Sequence, residues 1–142
     1  MRLDDAEARR RFTQSRVARL ATTDAKGQPH LVPVVFAVVR DTVYSAVDAK
    51  PKSTTDLRRL ANVRANPRVS LLADDYADDD WAALWWARAD GAARVLTADE
   101  PEGAEAVRAL AARYAQYRGQ RPHGPVLAVD VRKWTGWAAA DT

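Results

Sequence analysis

The segment between Lys50 and Thr55 holds the densest group of side chains in this chain that could bind an anion. Lys50 and Lys52 flank a proline, and the hydroxyl residues Ser53, Thr54 and Thr55 follow directly. Ammonium groups, hydroxyls and the unpaired N–H groups of a first helical turn together suit a phosphate. The segment lacks the glycines of a P-loop or a dinucleotide-binding motif. The alternative is that one hydroxyl residue caps the helix while both lysines are solvated.

The rest of the sequence offers little reactive chemistry of its own. There is no cysteine, which excludes disulfides, thiolate metal sites and cysteine nucleophiles. Neither His30 nor His123 stands at a metal-ligand spacing, and no nucleophile elbow is present. We therefore expect no metal site, assign no catalytic side chain, and interpret His30 as a strand residue with satisfied hydrogen bonds rather than as a general base. An enzyme built on this chain would take its chemistry from a cofactor.

Three of the five tryptophans lie close together, at Trp81, Trp85 and Trp86. Side chains of this kind suit a core, a subunit interface or the face of a flat cofactor ring, and the sequence leaves all three roles open. The acidic run 74–80 precedes them. Because that run lacks the glycine and the closing glutamate of an EF-hand, it predicts a solvated turn rather than a cation site.

Length and charge narrow the class of protein. A chain of 142 residues predicts one domain over 1–142. The net charge is +3, but acidic and basic residues are interleaved without a dense basic block, so no nucleic-acid partner is expected. No apolar stretch reaches membrane-spanning length and the first residues have no apolar signal region, so we expect a cytoplasmic protein without a membrane partner.

Hairpins dominate the elements that would position these residues. Alternation places Ala18, Leu20 and Thr22 on one face of a strand, and Pro33 in the next strand implies an edge, a bulge or an opened ladder. Gly91 is expected to end segment 81–91 before the next strand begins at Ala92. The predicted class is mainly β with peripheral helices, a small β-barrel of about six strands and three helices. The predicted helices are 4–14, about 54–66 and one from 99; the strands are 16–23, 30–39, 42–47, 68–73, 92–97 and 126–131.

Several motifs resemble one family in order and spacing. Residues 16–36 (RVARLATTDAKGQPHLVPVVF) resemble the opening hairpin of the flavin- and deazaflavin-binding split β-barrels, the pyridoxamine 5'-phosphate oxidase-like proteins. Segments 48–57 and 66–71 continue the match. Segment 80–91 is similar to the probable coenzyme F420-dependent enzymes of the actinobacterial branch. The resemblance covers nearly the whole chain and implies the FMN-binding split-barrel fold.

The resemblance also implies a homodimer with two cofactor sites at the subunit interface, each built from both chains. The cofactor phosphate would be held by Lys50, Lys52, Ser53 and Thr54. The ring would be lined by Leu20, Ala21, Thr22, Pro33, Val34 and Val35. Trp81, Trp85 or Trp86 would come from the neighbouring subunit or cover the ring. Relatives often carry Arg or Lys at the position of Ser53, so this chain lacks one charge-assisted contact of about 1.5–3 kcal/mol.

The function implied is an oxidoreductase that transfers a hydride between coenzyme F420 and a small organic substrate. The protein would supply position and electrostatics rather than an acid–base pair. FMN is the alternative cofactor and would permit an oxidase. A non-catalytic carrier or sensor that binds a flavin, haem or tetrapyrrole is the alternative from another functional class.

Overall fold

The computed structural model describes residues 1–47 and 54–140, with the helix backbone but not the side chains at 54–57. The α-helices are α1 (Asp5–Gln14), α2 (Thr54–Ala65), α3 (Pro101–Arg113) and α4 (Ala115–Gly119), and a short 3-10 helix spans Trp81–Ala83. The strands are β1 (Arg2–Leu3), β2 (Ala18–Thr23), β3 (Pro29–Val34), β4 (Ala37–Val39), β5 (Thr42–Ala46), β6 (Arg68–Asp75), β7 (Trp85–Leu96) and β8 (Val126–Ala138).

The described strands form one antiparallel sheet in the order β3-β2-β6-β7-β8-β5-β4, and β1 pairs with β8. The predicted class, mainly β with peripheral helices, is confirmed, and the arrangement is consistent with a split barrel. The eight strands and four α-helices of the described ranges slightly exceed the predicted six and three. The two-residue β1 and the five-residue α4 are too short to produce a periodic sequence pattern.

The core lies between the inner face of this sheet and the helices. The Phe12 ring of α1 lies 4.8 Å from Phe36 and 5.4 Å from Trp134, centroid to centroid. Leu20 and Leu71 contribute from neighbouring strands and are 2% and 1% exposed. The predicted alternation of β2 is confirmed, because Ala18, Leu20 and Thr22 are all buried while Arg19 is exposed.

The start of α1 is capped by Asp4. The side chain of Asp4 accepts a hydrogen bond of 2.8 Å from the backbone N–H of Glu7. This bond satisfies one of the helix's unpaired N–H groups and places an acidic residue near the positive end of the helix dipole.

The prediction of one continuous strand over 30–39 is wrong. The chain leaves the ladder at Val35 and Phe36, which separates β3 from β4. β3 is the last strand in the order of the described sheet, and Leu31 on its outward side is 67% exposed. Of the three alternatives for Pro33, the structure shows the edge position, and the ladder also ends one residue later at Val34.

The predicted break at Gly91 is also wrong. Strand β7 continues through Gly91, where the register with β8 shifts between Asp90 and Gly91, a β-bulge. A Cβ atom at Gly91 would stand 2.2 Å from the backbone oxygen of Asp130, so the two backbones approach too closely there for any side chain. Likewise, Asp74 and Asp75 of the predicted acidic turn are the last residues of β6.

Within 1–47 and 54–140, no helix combines the length and the apolar character that crossing a bilayer would require.

Candidate functional site

One face of the sheet points away from the core, and we call it the outer face. Its side chains come from β3, β2, β6, β7 and β8, and strand alternation and register align them. They include Arg19, Ala21, Leu31, Pro33, Ser70, Leu72, Trp86, Arg88, Asp90, Lys133 and Trp137. The opposite face carries the core residues, so a ligand that needs access to the sheet has to approach this one.

A cavity of about 420 Å³ opens on the outer face between β2, β6, β7 and β8. Its volume lies within the range of small-molecule sites. The residues that line this outer-face cavity are Ala21, Thr23, Arg68, Val69, Ser70, Asp90, Gly91, Ala92, Arg132 and Lys133. Ala21, Gly91 and Ala92 have small or absent side chains, which leaves room for a flat group against the strands.

The β-bulge places two consecutive cations in this cavity. Asp90 pairs with Lys133 and Gly91 pairs with Val131, so Arg132 is the extra residue of β8. In a regular strand, neighbouring side chains point to opposite faces and only one of the two would line the cavity. The bulge removes that restriction, and both Arg132 and Lys133 line it.

The carboxylate in the cavity already has partners. The hydroxyl of Ser70 donates a hydrogen bond of 2.5 Å to Asp90, and the Nε of Arg88 donates one of 3.0 Å to its other oxygen. The side chains of Arg68, Arg132 and Lys133, in contrast, form no hydrogen bond or ion pair with any residue in the described ranges. Among the described residues, Asp90 is the only carboxylate that lines the cavity and a guanidinium matches its charge, so this lining is cationic.

The predicted ring-lining residues are divided between the two faces. Ala21 lines the outer-face cavity, and Pro33 is exposed on the same face. Leu20 and Thr22 point into the core, where the hydroxyl of Thr22 accepts a hydrogen bond of 3.1 Å from Asn62. The side chains of Leu20 and Thr22 therefore do not reach the outer face, and only the backbone of these two residues is on the side of a ligand bound there.

The remaining two ring-lining candidates lie at the end of β3. Val34 is 6% exposed and packs into the core, and Val35 is half-buried where the chain leaves the ladder. Their assignment to a cofactor ring stays a prediction.

The predicted phosphate site cannot be placed. Lys50, Lys52 and Ser53 lie outside the described residues, and Thr54 is the first residue of α2, with its side chain also outside them. These four residues stay a prediction from the sequence.

The three clustered tryptophans are separated in space. Trp86 lies on the outer face, paired across the strands with Asp74 and Trp137, and the Arg88 guanidinium lies 5.6 Å from its ring. Trp85 lies on the opposite side, where Arg11 is 5.8 Å from its ring. Trp81 belongs to the 3-10 helix and is 65% exposed. Of these three tryptophans, Trp86 is the one that lies on the same face of the sheet as Ala21.

The joint between β3 and β4 is held by the end of α3. The Tyr114 hydroxyl lies 2.9 Å from the carbonyl oxygen of Arg16 and 3.0 Å from that of Phe36. Arg113 donates to the same Phe36 oxygen and to the carbonyl oxygen of Ser15. Burial lowers the pKa of Arg113, but its two carbonyl partners and the Phe36 ring accommodate the guanidinium. These contacts fix the segment that follows Pro33.

No group of three or more acidic, histidine or cysteine side chains in the described ranges is arranged to hold a metal ion. His30 faces the core side of β3 opposite Thr22, and its Nδ1 is buried without a hydrogen bond inside those ranges. Neither histidine lines the outer-face cavity.

Sequence reasoning missed Asp90, Arg68, Arg132 and Lys133. The adjacent pair Arg132 and Lys133 is visible in the sequence, but alternation assigns the two side chains to opposite faces. Gly91 was the available signal, because an isolated glycine in a strand pattern often marks a bulge or a close backbone approach.

Comparison with known proteins gives both a family and a fold. A family model described as pyridoxamine 5'-phosphate oxidase matches residues 4–138. A FAD-binding protein of Mesorhizobium loti superposes with a TM-score of 0.74 at 20% identity, over 96% of this chain and 95% of that one. A conserved hypothetical protein of Mycobacterium tuberculosis gives 0.72 at 25% identity, over 96% and 86%. The heme storage protein HutZ of Vibrio cholerae gives 0.71 at 17% identity, over 96% and 95%. No curated protein matches the chain.

Proposed function

Because this chain belongs to the pyridoxamine 5'-phosphate oxidase family, we propose that it binds a flavin-type cofactor, coenzyme F420 in particular, and acts as an oxidoreductase on a small organic substrate. The observation that carries the proposal is the outer-face cavity, with its small-residue floor and its cationic lining. A flat, apolar ring attached to an anionic tail is complementary to both features.

The residues present fit such a group. Ala21, Gly91 and Ala92 leave the strand backbone open to a planar ring, and Trp86 on the same face offers an aromatic surface. The volume of about 420 Å³ suits a ring system rather than a whole cofactor. The anionic part would extend toward cations, either those of the cavity or the predicted Lys50 and Lys52.

The chemistry would come from the bound deazaflavin or flavin, which supplies two-electron hydride transfer. The protein's own contribution would be to hold ring and substrate in contact and to exclude water. Asp90 is held by Ser70 and Arg88, so its oxygens are already committed as acceptors. We assign no side chain as a proton donor.

A second copy of the chain would complete the site. The outer face exposes Leu31 at 67%, Leu72 at 37% and Trp137 at 38%, and exposed apolar groups gathered on one face favour an interface. A homodimer packed on this face would bury them and would close the cavity from above. A partner tryptophan could then cover the ring, as the resemblance implies.

FMN is the second candidate cofactor. It is supported by similarity in fold to a protein named as FAD-binding, and it would permit an oxidase. Haem is less supported despite the similarity to a heme storage protein, because neither His30 nor His123 lines the cavity to serve as an axial ligand.

The test is a fluorescence-quenching titration with F420 and, separately, with FMN. Tight binding of F420 and weak binding of FMN supports the proposal, the reverse order moves the protein to the FMN enzymes, and binding of neither overturns it. Ala21→Trp would fill the cavity and is expected to weaken binding at least tenfold. Ala25→Trp, in the exposed turn after β2, is the matched control and should bind as the unsubstituted protein does.

A further inference from the structure

We propose that Arg68, Arg132 and Lys133 form a subsite in the outer-face cavity for a ligand that carries at least two negative charges. It consists of other residues than those predicted from the sequence to hold a phosphate, Lys50, Lys52, Ser53 and Thr54. The subsite needs no cofactor to exist, but its assignment to a cofactor tail or to an anionic substrate rests on the proposed function.

The backbone brings the three cations to one place. Arg68 begins β6 and pairs with Ala92, which places it beside the bulge. The bulge turns both Arg132 and Lys133 toward the same cavity, and it exists because Gly91 lets β7 approach the carbonyl of Asp130. Because of the β-bulge at Gly91, three cations from two strands therefore surround the outer-face cavity.

The charges of the three side chains are not matched by the described residues around them. None of the three side chains has a partner within 1–47 and 54–140, while most other arginines of the sheet's outer face do. Arg19 pairs with Asp74 and Arg88 with Asp90, for example. Three unmatched cations around one cavity repel one another, and a bound polyanion would replace that repulsion with attraction.

The types of the three side chains favour a particular kind of anion. A guanidinium binds a carboxylate or a phosphate through two parallel hydrogen bonds, and an ammonium adds a point charge. Two guanidiniums and one ammonium match a pyrophosphate, a tricarboxylate or a chain of carboxylates better than a single monoanion. The carboxylate tail of F420 and a free polyanionic substrate share this chemistry.

The experiment is calorimetric titration with inorganic pyrophosphate at low ionic strength, which requires no cofactor. The double variant Arg132→Gln/Lys133→Gln is expected to bind at least tenfold more weakly than the unsubstituted protein. Arg68→Gln, which lies on the other strand, is expected to bind pyrophosphate at least threefold more weakly than the unsubstituted protein. The control is Arg108→Gln/Arg121→Gln, which removes the same charge from exposed positions outside the cavity and should stay within twofold. Thermal unfolding of each variant verifies that the fold is intact.

Two results would overturn the proposal: no binding of pyrophosphate by the unsubstituted protein, or equal affinities for all variants. If all variants bind pyrophosphate equally and the cavity variants no longer form a dimer, the three cations pair with carboxylates of a second copy instead. Competition between pyrophosphate and F420, absent for FMN, supports the subsite and assigns it to the cofactor tail. Simultaneous binding supports it and assigns it to a separate anionic substrate. Retained pyrophosphate binding without binding of either cofactor would refute the proposed function alone.

Discussion

Replacement of Gly91 with alanine tests the bulge on which the outer-face cavity depends. The new Cβ would lie 2.2 Å from the Asp130 oxygen and 2.9 Å from its carbonyl carbon, whereas real Cβ contacts are not closer than 3.0 Å. Both obstructing atoms belong to the backbone of β8, so no flexible side chain can move aside and the strands must separate by roughly 1 Å. Overpacking of this kind costs about 2–3 kcal/mol. For a chain of this length that lowers Tm by about 7–10 °C.

Differential scanning calorimetry measures this shift, and Gly119→Ala is the matched control. A Cβ at Gly119 would meet nothing within 4 Å, and this glycine ends α4 without a positive φ. Alanine there should leave Tm unchanged or raise it slightly. The reasoning is refuted if Gly91→Ala lowers Tm by no more than about 2 °C, because the two backbones would then tolerate a side chain. A shift in Tm should also be accompanied by weaker pyrophosphate binding, since the bulge positions Arg132.

Three further predictions concern the network around α3 and the core. Arg94→Met removes the guanidinium that lies 2.8 Å from Glu102 and 2.7 Å from Asp130. Because these groups are partly exposed to solvent, the free energy of unfolding measured in urea at pH 7 should fall by only about 1–2 kcal/mol. Hydrogen bonds from Arg94 and, to a smaller extent, from Tyr44 lower the pKa of Glu102 to about 2. The ionised carboxylate therefore contributes fully to the free energy of unfolding above pH 4.5, and this contribution is lost as the pH falls toward 2. The difference between the two proteins should therefore shrink in unfolding curves recorded from pH 5 down to pH 2. Thr22→Val leaves the buried amide of Asn62 without its acceptor and should cost about 1–3 kcal/mol in the same urea assay.

Each of these predictions has an outcome that contradicts it. A difference between unsubstituted and Arg94→Met protein that is constant from pH 7 to pH 2 would show that Glu102 is not stabilised by that guanidinium in solution. An unchanged urea midpoint for Thr22→Val would show that Asn62 finds another acceptor. Thr13→Val is a suitable control for the threonine change, because the Thr13 hydroxyl only returns to the carbonyl of Arg9 within α1.

Features that depend on a few neighbouring residues were predictable from the sequence. The Asp4 cap of α1 needs only a carboxylate three residues before an N–H group, and the missing donor of Pro33 restricted that residue to an edge, a bulge or an opened ladder. The alternation of buried residues along β2 follows from the two-residue period of a strand. The order of such motifs along the chain was also sufficient to indicate the family that the comparison with residues 4–138 confirms.

Features that depend on pairing between distant segments were not predicted. The bulge at Gly91 arises from the register of β7 against β8, whose paired residues are about forty positions apart in the sequence. Trp85 and Trp86 are adjacent in sequence but belong to opposite faces of the sheet, so their proximity did not imply a shared role. The short break at Val35 depends on Tyr114, which reaches it from the end of α3.

The sequence alone thus determined the class of fold, the family and the absence of cysteine chemistry, because each depends on residue types and local periods. The tertiary structure alone decided which side chains share the outer face and that Arg132 and Lys133 meet in one cavity. The physical reason is the two-residue period of a strand: one inserted residue moves every following side chain to the other face. Whether such an insertion occurs depends on the partner strand, and no local pattern in β8 contains that information.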